Sequence, residues 1–114
     1  MDSKKLLSAY LPMTETAFYI LLSMSEPRHG YGIAKFVSEL TNERIKLGSG
    51  TIYGTLTKMQ RDGIIAVFDD TEKRIVYEIT DTGKELLRAE MNRISRVYDD
   101  MKSMEKYYMG EEQQ

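Results

Sequence analysis

The apolar residues of this chain change period, and that change restricts the fold more than any other feature of the sequence. Up to about residue 61 they recur at three- and four-residue intervals, from 64 to 79 they fall in two short strand-like runs, and from 82 to about 109 helical spacing returns. Helical spacing buries one stripe of a helix and a strand buries one face of a sheet, so the two patterns cannot exchange. The expected order is helix, helix, helix, β-hairpin, long helix. The fold class is mainly α with a small β-hairpin.

Residues 3–11 form an amphipathic piece with Leu6, Leu7, Tyr10 and Leu11 on one side, and Pro12 interrupts it. Thr14 reads as the N-cap of a helix over 15–24, whose Ala17, Phe18, Ile20, Leu21, Leu22 and Met24 make it apolar nearly all round and therefore buried. Pro27 and Gly30 mark residues 25–30 as a turn. Residues 31–41 place Ile33, Ala34, Val37 and Leu40 at helical spacing, and a connector covers 42–48. Ser49 is expected to cap a helix over 49–61 that turns Ile52, Leu56 and Met59 inward, and Asp62-Gly63 ends it. The strands are expected over 64–68 and 74–79, joined by a somewhat long polar loop over 69–73. Thr82 with Glu85 suggests a capping box at the start of the long helix. Along that helix Leu87, Ile94, Met101 and Tyr108 repeat every seven residues, Val97 and Met104 fill d-type positions, Met91 and Tyr98 flank them, and Glu90 is the polar exception. Such a stripe fits the seam of a coiled coil. The division expected is one unit over 1–80, a long helix over 81–109, and a disordered tail over 110–114.

The 114 residues make one domain plus an appended helix, with enough apolar content (41%) for a modest core. Cysteine is absent, which excludes disulfides, thiolate zinc sites and cysteine nucleophiles. No apolar run is long enough to span a membrane, and the N-terminal stretch lacks a secretory h-region, so a cytoplasmic protein is the expectation. The net charge of -2 lacks the global basic footprint of a nucleic-acid binder. Its distribution matters more. Residues 44–61 carry Arg44, Lys46, Lys58 and Arg61 and no Asp or Glu.

Three helices and a hairpin describe a winged helix-turn-helix, in which the third helix enters the DNA major groove. Here that helix, 49–61, coincides with the positively biased stretch. Its outward face offers Thr51, Tyr53, Thr55, Thr57, Lys58 and Arg61 for phosphates and base edges. Ser49 sits between Gly48 and Gly50 at a helix N-terminus suited to a phosphate.

Four motifs in order, His29-Gly30-Tyr31-Gly32-Ile33, Gly48-Ser49-Gly50-Thr51-Ile52-Tyr53-Gly54-Thr55-Leu56, Arg61-Asp62-Gly63-Ile64-Ile65 and Tyr77-Glu78-Ile79-Thr80-Asp81-Thr82-Gly83, resemble the PadR family of transcriptional regulators. The resemblance runs from about Leu11 into the long helix and is similar to the short members with a single C-terminal helix. It implies a homodimeric winged-helix repressor, usually of a nearby operon, relieved in some members by a small molecule, with the first helix joining the last in dimerisation. It places Thr51, Tyr53 and Lys58 on the recognition helix, Tyr31 and Lys35 at the start of the preceding helix, and Lys73 and Arg74 on the wing. The residues expected at DNA are thus Tyr31, Lys35, Lys46, Ser49, Thr51, Tyr53, Thr55, Lys58, Arg61, Lys73 and Arg74. Those expected at the dimer interface are Leu6, Leu7, Tyr10, Leu87, Met91, Ile94, Tyr98 and Met101. Asp69, Asp70 and Glu72 surround the wing cations and should weaken its phosphate contacts.

Other readings are weaker. His29, the single histidine, has no neighbouring ligands or catalytic partners and reads as a turn residue, with a helix-start phosphate contact as the alternative. Gly48-Ser49-Gly50-Thr51 lacks the lysine and the preceding strand of a nucleotide loop, and the acidic wing lacks the glycine and distal glutamate of a calcium loop. No catalytic constellation, metal site or cofactor is expected. The methionines near Tyr98 suit either a plain seam or a pocket for a small apolar or aromatic effector, with Tyr10, Met91 and Tyr98 as candidate ligand residues. Two alternatives to the repressor stay open: a winged-helix protein-interaction module, favoured by the acidic pI, and a small-molecule-binding dimer whose DNA role is secondary.

Overall fold

The chain begins with two short helices that each stop for a local reason. In the computed structural model, which describes residues 2–71 and 73–110, α1 (Ser3–Tyr10) starts where Asp2 accepts the Lys5 N–H at 2.8 Å and ends before Pro12. Thr14 caps α2 (Glu15–Leu22), accepting the Ala17 N–H at 3.1 Å. A 3-10 turn, Ser23–Ser25, follows, in which the buried Ser23 hydroxyl donates to the Ile20 carbonyl.

The next segment is more than the turn expected over 25–30. Arg28–His29 forms a two-residue strand, β1, paired with the wing. His29 then caps α3 (Gly30–Leu40), its Nδ1 accepting the Gly32 N–H. The third core helix, α4, spans Ser49–Arg61, and its N-cap is Gly48 rather than Ser49, whose side chain makes no capping bond. It ends in a Schellman motif: Ile64 N–H donates to Met59 O at 2.9 Å and Gly63 N–H to Gln60 O at 3.1 Å, with Gly63 at φ 76°, a conformation open to glycine.

The wing is a tighter hairpin than expected. β2 (Ile65–Thr71) runs through Asp69 and Asp70, and β3 (Arg74–Ile79) pairs with it as far as Thr71 opposite Arg74, with a bulge between Val67 and Asp69. An exposed strand needs no apolar alternation, so polar residues that read as loop continue the ladder. The three strands are antiparallel in the order β1-β3-β2.

The last helix is capped by Thr80, not Thr82. Thr80 Oγ1 accepts the Gly83 N–H at 3.0 Å and reaches the Gly63 and Ile64 carbonyls, tying helix start to wing base. Gly83 is required there, because a Cβ would meet the Ile64 carbonyl oxygen. α5 (Asp81–Met104) continues as α6 (Lys106–Met109) after an interruption at Glu105, whose N–H turns to Lys102 O. At about 1.5 Å per residue α5 is about 36 Å long, and it accounts for much of the 57 Å long axis of the molecule. Of the tail expected over 110–114, residues 111–114 lie outside the described residues, as do Met1 and Glu72.

The core joins α1 to α5 with the base of the wing. Leu6, Ile20, Leu21, Ile33, Val37, Leu56, Ile64 and Leu86 are almost fully buried. Leu6, expected at the dimer interface, is 1% exposed and packs in the protomer core. Glu90 is equally buried. It accepts the Met13 N–H at 3.0 Å and both Nε and Nη2 of Arg93, so the polar exception in the heptad pattern clamps the α1–α2 junction to α5.

Candidate nucleic-acid interface

α4 buries Ile52, Leu56 and Met59 and leaves its opposite face bare. Gly50 and Gly54 lie on that side with no atom within 4 Å of where a Cβ would stand. A glycine inside a helix costs about 0.5–1 kcal/mol relative to alanine. Neither fills a tight contact within the protomer, so the helix backbone is open to approach at both positions.

Beside this face, the start of α3, the middle of α4 and the wing enclose a cleft of about 440 Å³ lined by His29, Tyr31, Tyr53, Lys73, Arg74, Ile75 and Tyr77. Tyr31 and Tyr53 are exposed, at 77% and 51%, although both are large aromatics. Tyr53 lies against Gly30, where any larger residue would overlap its ring. The phenol of Tyr77 is raised above its ordinary pKa, first by burial and then by the neighbouring Tyr53 and Asp70, so it remains a neutral donor at physiological pH. Asp69 and Asp70 do not line the cleft, whereas both wing cations do.

The expected DNA-contacting residues therefore divide. Tyr31, Tyr53, Lys73 and Arg74 meet in the cleft. Lys35 and Lys46 line an open groove along α3 together with Glu39 and Glu43, which Tyr31 borders as well, and Lys46 lies 3.7 Å from Glu43. Lys58 turns back towards α1: its Nζ is 4.0 Å above the Tyr10 ring and 3.5 Å from Asp62. Arg61 stays exposed, 3.8 Å from Asp62. Ser49 and Thr51 face solvent at the first turn of α4, and Thr55 is half-buried. The Thr57 hydroxyl is spent on the Tyr53 carbonyl at 2.8 Å. His29, read from the sequence as a turn residue, is both the cap of α3 and a wall of the cleft, 3.1 Å from Arg74. Its place directly before a helical run, with an amide three positions on, was the available signal.

The proposed ligand residues are not gathered. The cavity beside Tyr10, about 360 Å³, is lined by Pro12, Met13, Ala17, Gly54, Thr55 and Lys58 among others, and not by Met91 or Tyr98. The Tyr10 hydroxyl donates to Asp62 at 2.7 Å; burial and that partner push its pKa far above the usual phenol value, and the same bond holds the Asp62 carboxyl below its own. On the long helix, Met91, Ile94, Val97, Tyr98, Met101 and Met104 stand exposed, while Leu87 is half-buried against the core. Among the described residues no helix is long and apolar enough to cross a membrane.

Three core helices, a three-stranded wing and a projecting C-terminal helix define a winged helix-turn-helix protein of the transcription-regulator type. Residues 19–89 match the model of the transcriptional regulator PadR-like family, and the chain belongs to that family. Its work is transcriptional regulation, not catalysis. Among solved structures, the chain is similar to a PadR family transcription regulator from Clostridium difficile R20291 (22% identity, TM-score 0.68, covering 80% of this chain and 98% of that one). It is similar to the putative transcriptional regulator TA0346 from Thermoplasma acidophilum (28% identity, TM-score 0.58, covering 89% and 95%). It also resembles Bacillus subtilis PadR in complex with operator DNA (24% identity, TM-score 0.57, covering 66% and 46%). No curated protein sequence matches significantly.

Proposed function

We propose that the chain is a cytoplasmic homodimeric repressor that binds an inverted-repeat operator in double-stranded DNA. The observation that carries this reading is the bare outer face of α4, with its two open glycines, beside a cleft that gathers Tyr31, Tyr53, Lys73 and Arg74. The operator complex of the Bacillus subtilis relative supports it. Residues 1–80 serve DNA binding and 81–109 dimerisation. The exposed stripe of Met91, Ile94, Tyr98 and Met101 supports the pairing, since so continuous a run of large apolar side chains is a liability in a monomer. Tyr31, Tyr53, Thr51, Lys73, Arg74 and Arg61 are the principal DNA contacts, Ser49 offers its helix N-terminus, and Lys35 and Lys46 reach flanking phosphates. Lys58 acts chiefly as a brace to α1. An apolar effector relieves binding from the seam of the long helices, where Met91 and Tyr98 from two copies come together.

Fluorescence anisotropy with DNA from the gene's own upstream region, at several salt concentrations, tests the reading against scrambled DNA of equal length. Tighter binding to the upstream DNA, with affinity falling steeply as salt rises, is expected. Equal and feeble binding to both, together with failure to enrich any sequence from a random pool, refutes it in favour of the protein-interaction module.

A further inference from the structure

The hydrogen bonds around His29 do not close. The Gly32 N–H points at Nδ1 from 3.1 Å. A backbone amide can only donate, so Nδ1 is the accepting nitrogen and the neutral ring carries its hydrogen on Nε2. That Nε2 lies 3.1 Å from Nη1 of Arg74. A guanidinium can also only donate. Two donors therefore face each other, and moving the hydrogen to Nδ1 merely transfers the conflict to Gly32. No protonation state of His29 satisfies both neighbours. The pair is exposed, so one acceptor beside it, water in the free protein or an anionic oxygen in a complex, can satisfy both donors.

The strands hold the pair in this position. His29 on β1 stands opposite Val76 of β3, and Arg74 is its diagonal neighbour two residues away. The ring lies nearly parallel to that of Tyr31, with an interplanar angle of 15°. Both side chains open into the cleft that also holds Lys73 and Tyr53, beside the outer face of α4. The pair thus faces solvent where a DNA strand would pass.

We propose that His29 Nε2–H and Arg74 jointly grip one phosphodiester oxygen of the DNA backbone, with His29 a specific neutral donor to DNA. The assignment rests on the operator-binding reading and adds to it a residue that carries no charge to the site.

The neutrality separates its role from that of the cations. His29→Asn keeps an N-cap acceptor for Gly32, since asparagine is among the best N-caps, but is too short to reach the phosphate. Its melting temperature should stay near that of the wild type. Its operator affinity should fall about tenfold for each of the two half-sites, the usual scale for a hydrogen bond to a charged acceptor. The slope of log K against log salt should not change, because a neutral donor releases no counterion. Arg74→Ala should weaken binding and also reduce that slope by about 1.8, because each of the two protomers loses one phosphate contact. The double variant should lose less than the product of the two, because both donors serve one oxygen. Proton-detected nitrogen NMR of the wild type provides an independent reading: the free protein should show hydrogen on Nε2 only, and that resonance should move when operator DNA is added. Inorganic phosphate forms a second arm, expected to move it only weakly. Wild-type binding with His29→Asn unaffected, or an unmoved Nε2–H resonance, overturns the assignment alone. Saturation by inorganic phosphate without a response to DNA overturns it in favour of a free-anion site. Failure of the wild type to prefer any operator overturns the operator reading itself.

Discussion

Gly30→Ala separates the stability of this fold from its ability to bind DNA. Gly30 is buried at the first position of α3, and a Cβ there would fall 2.5 Å from the Tyr53 hydroxyl oxygen and 2.6 Å from the adjoining ring carbon. Ordinary contact begins at 3.4 Å, so the ring must withdraw by about 0.9 Å, the difference between 3.4 and 2.5. The clash is with the far end of a half-exposed side chain, not with backbone, so rotation of Tyr53 relieves it. Leaving its rotamer costs Tyr53 about 0.5–1.5 kcal/mol. Replacing a glycine whose φ is not left-handed gains about 0.4–1 kcal/mol through the unfolded chain. The two nearly cancel, and the melting temperature should move by no more than about 5 °C. Operator binding should not be spared, because Tyr53 no longer stands in the cleft. A lost base-edge or phosphate contact is worth about 1–3 kcal/mol, so affinity should fall between about fivefold and a hundredfold. The assay is anisotropy with operator and scrambled DNA, alongside thermal melting. Tyr53→Ala should produce a similar loss, and the Gly30→Ala/Tyr53→Ala double variant should be no worse than Tyr53→Ala alone. Wild-type affinity in Gly30→Ala, or strict additivity in the double variant, would refute the placement of Tyr53 at DNA.

Three further variants probe the rest of the molecule. Ile94→Asp puts a carboxylate into the exposed stripe of α5 and should convert a dimer to a monomer in sedimentation velocity, with loss of operator binding and retention of the helical circular dichroism signal. Glu90→Gln leaves Arg93 and the Met13 N–H imperfectly partnered and should destabilise the fold by about 1–3 kcal/mol in urea melts. The Arg93 and Met13 bonds hold the Glu90 carboxyl below its ordinary pKa, so its stabilisation is present above the unfolded value of about 4.3 and lost as pH falls through the lower folded value; Glu90→Gln should flatten the acid limb of the stability curve. Tyr10→Phe removes the donor to Asp62 and should cost about 1 kcal/mol near neutral pH. Because Asp62 is held low chiefly by that hydroxyl, the variant should also lose less stability than the wild type as pH falls below about 4.

The elements that bury a periodic stripe were legible in the sequence, because burial imposes the period. The order of α1 to α5 and the hairpin follows from it, as does the outward stripe of Met91, Ile94 and Met101. What was not legible is decided by contacts between distant residues. Arg28–His29 has two residues and no period, and it becomes a strand only because β3 offers Val76 and Tyr77 as partners. Asp69 and Asp70 join the ladder because the exposed wing asks nothing apolar of them. Thr80 outcompetes Thr82 as a cap because its hydroxyl can also bond the Gly63 and Ile64 carbonyls. At the interface, the types of side chain were readable but their pairing was not. Lys58 shows this: the sequence could not tell that its ammonium lies over the Tyr10 ring, which α1 brings beside it, as well as near Asp62.

In the proposed dimer, those same long-range contacts determine how a change at the seam would reach DNA. The Met13 N–H bond to Glu90 fixes the α1–α2 junction to α5, and the Tyr10 bond to Asp62 fixes α1 to the end of α4. Up to Glu90, α5 therefore moves as one body with the recognition helix. Beyond it, from Met91 to Met104, about 21 Å of helix projects free of the core. In a dimer paired along that stretch, the seam sets the angle between two rigid bodies, and the projecting helix is the lever. A change of about 10° at the end of a 21 Å arm displaces the body by about 3.7 Å. The recognition helices must sit about 34 Å apart to enter successive major grooves, and that span covers about ten base pairs. The displacement is therefore about one base pair, enough to put one α4 out of register while the other stays seated. A small effector wedged among the methionines has no need to touch α4, but it shifts the equilibrium only by its preference for one angle over the other. Moving the population from 99:1 to 1:99 takes about 5.5 kcal/mol of that preference, an amount that burial of a few apolar groups in the seam can supply.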